Sequence, residues 1–113
     1  MHVTDLARSV AFYGELLGLR PASRFAFGSE ELVFMAAGAG WIELIYDSGA
    51  ARSTGVLDHV ALRVEDLDAL LPRLRAANVR LLDETPLPVP EIEARIVFCL
   101  GPDGERVELI ERK

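Results

Sequence analysis

The two halves of this chain repeat, and that constrains the fold more than any single residue does. Val3-Thr4-Asp5-Leu6 is answered by Val64-Glu65-Asp66-Leu67, and Glu43-Leu44-Ile45 is answered by Glu108-Leu109-Ile110. Chance could give either match alone. Both occur in the same order, each at the same place in a repeated pattern of elements, which argues for duplication. A duplicated chain needs two similar units, each with an apolar face to bury.

Periodicity supplies the elements of each half. In the first, Thr4 or Asp5 can cap a helix whose Leu6, Val10, Tyr13 and Leu17 fall at near-helical spacing, and Gly18 is a good stop. Residues 20–27, 31–36 and 41–46 read as strands, with Gly28-Ser29 and Gly38-Ala39-Gly40 as turns between them. The stretch from Asp47 to Gly55, rich in Ser, Gly and Ala, reads as a linker. In the second half, residues 57–64 read as a strand, and Asp66 can cap a helix carrying Leu67, Leu70, Leu71, Leu74 and Ala77. Residues 79–83 read as a short strand and the segment with Pro86, Pro88 and Pro90 as a loop. Residues 94–100 and 106–111 are strands flanking the turn Pro102-Asp103-Gly104. The expected fold is α+β: strand, helix and three strands in each half. Module one is expected at 1–48, the linker at 49–56 and module two at 57–113.

Composition narrows the class of function. The chain has 113 residues, half of them apolar, enough for a core without staples. Its single cysteine, Cys99, excludes an internal disulfide and fits a reducing compartment. The net charge of -6 opposes binding to phosphate backbones, so nucleic acid is not an expected partner. No apolar run is long enough to cross a bilayer, and Met1-His2-Val3-Thr4-Asp5 does not begin a secretion signal. A cytoplasmic location is expected.

Candidate site residues come from strand alternation. Glu43 lies between Ile42 and Leu44, and Glu108 between Val107 and Leu109. A carboxylate aimed into an apolar core is costly unless a cavity, a partner charge or a metal relieves it; the other reading is that both face solvent. His59, Ala61 and Arg63 share one face of their strand, while Val60, Leu62 and Val64 share the other. The first face is mixed and suits a ligand cavity. His59 is then either a cavity residue or a hydrogen-bonded structural histidine. Arg63 either pairs with Glu65 or binds an anionic group. Trp41 and Phe98 either line the cavity or belong to the core. Cys99 has only Arg95 as a basic neighbour in sequence, so a nucleophilic role is not expected.

Three segments carry a resemblance to a known family. They are Val3 to Tyr13 with Leu16-Leu17-Gly18-Leu19, His59 to Leu67, and Gly101-Pro102-Asp103-Gly104 through Glu111. They resemble the paired βαβββ modules of the vicinal-oxygen-chelate superfamily, which includes glyoxalase I, bleomycin-resistance proteins and extradiol dioxygenases. The resemblance implies sheets curled around a cavity, helices on the outer face, and metal ligands on the first and last strands of each module. Carried over, the metal ligands would be Glu43, His59 and Glu108. Seven residues before Asp66 lies His59, whereas seven before Asp5 falls ahead of Met1, and His2 stands only three before Asp5. His2 and its counterpart Arg63 would contact substrate, with Trp41 and Phe98 beside them. A histidine with two carboxylates suits Ni, Zn, Mn, Co or Fe(II). The activity implied is a lyase or isomerase that polarises a carbonyl and moves a neighbouring C–H proton, with Glu108 the first choice as base and Glu43 the second. A glutamate at position 43 speaks against the dioxygenase branch. The alternative is a non-catalytic binding protein of the antibiotic-sequestering kind. A homodimer is expected either way.

Overall fold

The computed structural model describes residues 1–49 and 57–113. Most of the expected linker, residues 50–56, lies outside the described residues. The chain divides into two compact units, Met1–Arg52 and Ser53–Lys113.

The first unit runs β1 (His2–Val3), α1 (Leu6–Ala11), a π-helical turn (Phe12–Leu16), β2 (Arg20–Phe27), β3 (Glu30–Ala37) and β4 (Gly40–Tyr46). The strands form one open sheet in the order β1-β4-β3-β2. Asp5 caps α1 by accepting the backbone N–H of Arg8 at 2.9 Å. The helix widens where the Leu17 N–H donates to the Phe12 carbonyl at 3.2 Å, five residues back. It stops at Gly18, whose φ of 81° is a conformation that side chains with a Cβ disfavour. Val3, Leu6, Phe12, Tyr13, Val33, Met35 and Leu44 make the buried core between helix and sheet.

The second unit repeats this order: β5 (Val60–Val64), α2 (Leu67–Ala76), β6 (Leu87–Val89), a 3-10 turn (Pro90–Ile92), β7 (Ala94–Leu100) and β8 (Arg106–Arg112). The sheet order is β5-β8-β7-β6. Asp66 caps α2 through the Ala69 N–H at 3.0 Å, and Asn78, with φ 60°, takes the place that Gly18 has in the first unit. Leu67, Leu70, Leu71 and Leu74 bury one helix face against Val97, Cys99, Val107 and Leu109. Ala77, expected on that stripe, is instead the exposed C-cap. Pro72 sits on the exposed side of α2.

The duplication is visible in the register. His2 pairs with Ile45 in the parallel β1–β4 ladder, and Arg63 pairs with Ile110 in the parallel β5–β8 ladder. The sequence correspondence of Glu43 with Glu108 and of His2 with Arg63 is therefore also a correspondence of position.

The proline-rich segment corrects two expectations. Residues 79–83 do not form a strand; only Leu81 bridges to Cys99, and the Leu82 N–H donates to the Phe98 carbonyl at 2.8 Å. The strand is Leu87–Val89, inside the segment expected to be a loop. It pairs with β7 through Leu87↔Ile96, Pro88↔Arg95 and Val89↔Ala94. A proline cannot donate to a ladder but is tolerated at a sheet edge, and β6 is an edge strand. Where the two pieces fail to meet, the Asp83 carboxylate accepts the Phe98 N–H at 2.8 Å in place of a carbonyl.

Candidate functional site

Strand pleating sorts the second sheet into two faces. Val107 and Leu109 are buried toward α2, so Arg106, Glu108 and Ile110 take the opposite face. The register sets Glu108 between Ala61 of β5 and Phe98 of β7. His59, one residue ahead of β5, projects on the same side as Ala61. Its Nε2 lies 2.9 Å from Glu108 Oε2. Its Nδ1 lies 2.8 Å from Asp58 Oδ2. Arg106 Nη1 donates to the same Asp58 oxygen at 2.8 Å. The Phe98 ring forms the floor: His59 meets it edge-on at 5.1 Å, and the Arg106 guanidinium lies 4.8 Å from its centroid. Glu108 has 16% of its side chain exposed and His59 30%, so both are sheltered yet within reach of a small ligand.

The electrostatics follow from this bracket. The hydrogen bond to Asp58, then that to Glu108, raises the His59 pKa above its usual value, against the opposing effect of burial. The hydrogen bond from His59, and then the charge of Arg106, lowers the Asp58 carboxyl below its usual range. Asp58 and Arg106 are site residues that the sequence reading missed. Both had a signal: Asp58 is the sequence neighbour of His59, and Arg106 is two residues before Glu108 and so shares its face.

In the first unit, Glu43 is half-buried on β4, opposite Phe34 of β3. Among the described residues its carboxylate makes no hydrogen bond or ion pair. Trp41 shares its face and is 65% exposed, so it is not a core residue. Trp41, Phe34 and Phe25 form a row of rings with centroids 5.0 and 5.8 Å apart. His2 Nδ1 meets Asp47 Oδ2 at 3.2 Å on the surface. Arg63 is exposed and makes no ion pair with Glu65. Cys99 is buried, and burial pushes its thiol up to about 12.

The donor chemistry at His59 suits a divalent ion. An imidazole nitrogen and a carboxylate oxygen, both hard or borderline donors, sit side by side, and the other ring nitrogen is held by a carboxylate, as is usual for metal-binding histidines. Among the described residues no group of three or more His, Cys, Asp or Glu side chains is gathered closely enough to hold an ion by itself.

The repeated β-α-β-β-β order and sheet topology define a glyoxalase-type fold. The chain belongs to the Glyoxalase/Bleomycin resistance protein/Dioxygenase superfamily, whose family model matches residues 1–109. It is 32% identical to the uncharacterized protein YwbC of Bacillus subtilis, over 97% of this chain and 91% of that one. It is 31% identical to the lactoylglutathione lyase of Haemophilus influenzae, over 100% and 89%. It is also 31% identical to the glutathione transferase FosA of Serratia marcescens, over 95% and 73%. Among solved structures, the trypanothione-dependent glyoxalase I of Leishmania major superposes with a TM-score of 0.80 at 28% identity, covering 98% of this chain and 81% of that one. A variant of the fosfomycin resistance protein FosX from Listeria monocytogenes, determined with Mn(II), shares the fold with a TM-score of 0.77 at 19% identity, covering 100% and 86%.

Proposed function

We propose that this protein is a metal-dependent lyase or isomerase of the glyoxalase type, acting on a small carbonyl compound or its thioester. The observation that carries the reading is the pairing of His59 Nε2 with Glu108 at 2.9 Å, on an imidazole whose other nitrogen is already engaged by Asp58. Ligation by His59 and Glu108 would let a divalent ion act as a Lewis acid on a carbonyl next to a C–H bond. Glu108 is the first candidate for the base that moves the proton, because it is sheltered and one of its oxygens remains outside the bond to His59. Glu43, its counterpart in the first unit, is the second candidate for both roles, ligand and base. In the second unit Arg63 would meet an anionic or polar end of the substrate and Phe98 its apolar part; His2 and Trp41 are the corresponding candidates in the first unit.

Protein purified without chelator should contain a divalent ion, or take up Mn, Ni, Zn, Co or Fe(II) on titration. His59→Ala should weaken uptake at least tenfold. Glu108→Gln should slow exchange of the carbonyl-adjacent C–H in deuterated water by about 10²-fold or more. A wild-type protein that takes up no ion would overturn the reading.

The aromatic row in the first unit favours a second reading, a protein that binds an antibiotic-like molecule without transforming it. Stacking surfaces of this kind hold planar or apolar ligands with no metal. Ligands that raise the melting temperature even after chelation would support it; loss of all such stabilisation on chelation would refute it.

A further inference from the structure

We propose that the aromatic row of the first unit takes a planar aromatic ligand with one anionic group, its rings against Trp41 and Phe34 and its anion held by Arg20. The proposal rests on the second reading above, in which this row holds a ligand; it adds the ligand's chemical class and its direction on the sheet. The register carries it. Arg20 of β2 pairs with Ala36 of β3, and Ala36 pairs with Trp41 of β4. Cross-strand partners project to one side of a sheet, so these three side chains form a line across the face opposite the buried Val33 and Met35. Trp41 and Arg20 are both exposed, and the residue between them contributes a single methyl group. Ala36 therefore leaves a low floor. Trp41 rises at one end of it, with its ring centroid 5.0 Å from that of Phe34, and Arg20 stands at the other.

Size and charge define what fits. Two strand spacings separate the Trp41 and Arg20 positions, roughly 10 Å, room for a fused pair of rings ending in a carboxylate. Stacked on Trp41 and Phe34, such a ligand would cover apolar surface that the sheet now leaves to water. Among the described residues Arg20 makes no hydrogen bond or ion pair. Its planar fork of donors matches a carboxylate, phosphonate or sulfonate. Glu43 fixes the direction. It lies on the same face but on β4, two residues beyond Trp41 and opposite Phe34, and it opposes an anion on that side. The anion is thereby confined to the β2 side, where Arg20 stands, and the rings to the β3–β4 side.

The test uses the whole chain, with chelator and then with Mn(II), and 2-naphthoate as the probe. The chain has one tryptophan, so a single indole N–H signal in proton–nitrogen spectra reports on the site, and calorimetry gives the affinities. 2-Naphthoate should move that signal, and 2-naphthamide, its neutral isostere, should bind about tenfold more weakly. Arg20→Gln should lower 2-naphthoate affinity about 10- to 100-fold without changing that for 2-naphthamide. Arg20→Lys should restore part of the loss. Arg24→Gln, which removes an equal charge from the opposite face of β2, should change neither affinity. Trp41→Ala should weaken both probes about three- to tenfold. Equal affinity for 2-naphthoate and 2-naphthamide, or an Arg20→Gln effect no larger than that of Arg24→Gln, overturns the proposal and leaves the second reading in place. Tighter binding of 2-naphthylmethylamine would give the face to a cation through Glu43 and also overturn it. So would an indole signal that none of these probes moves; a change in that signal on dilution would then give the face to a second copy. If 2-naphthoate binds through Arg20 in the presence of Mn(II) alone, the second reading fails and the ligand class stands.

Discussion

A histidine between two carboxylates behaves differently from one in water, and a thiol in a packed sheet differs from both. His59 is drawn toward its charged form by the Asp58 and Glu108 carboxylates beside it, whereas Cys99 is driven toward its neutral form by enclosure. With its thiol pushed up to about 12, Cys99 should resist alkylation at pH 8 in the native protein and react promptly once it is unfolded in urea. Labelling of the native chain at the unfolded rate would show that β7 does not bury it. At this scale, alternation and the repeat single out Glu108 in the sequence, and alternation together with the family resemblance singles out His59. The Asp58–Arg106 link was less legible. It depends on the start of β8 lying beside the segment before β5, which is a tertiary fact linking residues 48 positions apart.

At the scale of elements, each helix begins on an aspartate whose replacement has a definite cost. Asp66→Ala should destabilise the protein by about 1 kcal/mol in urea unfolding, by exposing the Ala69 N–H that it satisfies. The N-terminus of α2 has a second support, since the Glu111 carboxylate accepts the Leu67 N–H at 2.7 Å and the Arg95 guanidinium at 2.7 and 3.0 Å. The Leu67 hydrogen bond first, then Arg95, holds the Glu111 carboxyl below its ordinary value. A lowered folded pKa means stability that is present above the unfolded value near 4.5 and is lost as pH falls through the folded value. Glu111→Gln should therefore cost about 1 kcal/mol at pH 7 and progressively less as pH falls below 4.5 and through the lowered folded value. A gap that does not change with pH would show that the contact acts through shape rather than charge. Sequence periodicity located both helices and most of the strands within a few residues. It misplaced the strand at 79–89 because prolines are read as breakers. At an edge, where only one side of the strand is hydrogen-bonded, that reading fails.

For the whole molecule, we propose that the chain pairs with a second copy. β2 is an edge strand of eight residues whose described side chains, among them Phe25, are exposed, and a bare edge of this kind invites a cover. Sedimentation should give a dimer at micromolar concentration, and a monomer there would refute the pairing. The sequence alone determined that there are two units of one design, which faces of their strands are apolar, and that Glu43 and Glu108 are counterparts. All of these follow from local periodicity and from repetition, which need no knowledge of distant neighbours. Only the tertiary structure decided which groups touch His59, where the edge strand of the second sheet lies, and that Trp41 stands in the open. Each of these depends on strands far apart in sequence coming side by side, and hydrogen bonds and exposure exist only once they have. The three residues carried over from the family resemblance thus divide: His59 and Glu108 form a hydrogen-bonded pair with an unforeseen support, and Glu43 is a half-buried carboxylate making no ion pair among the described residues.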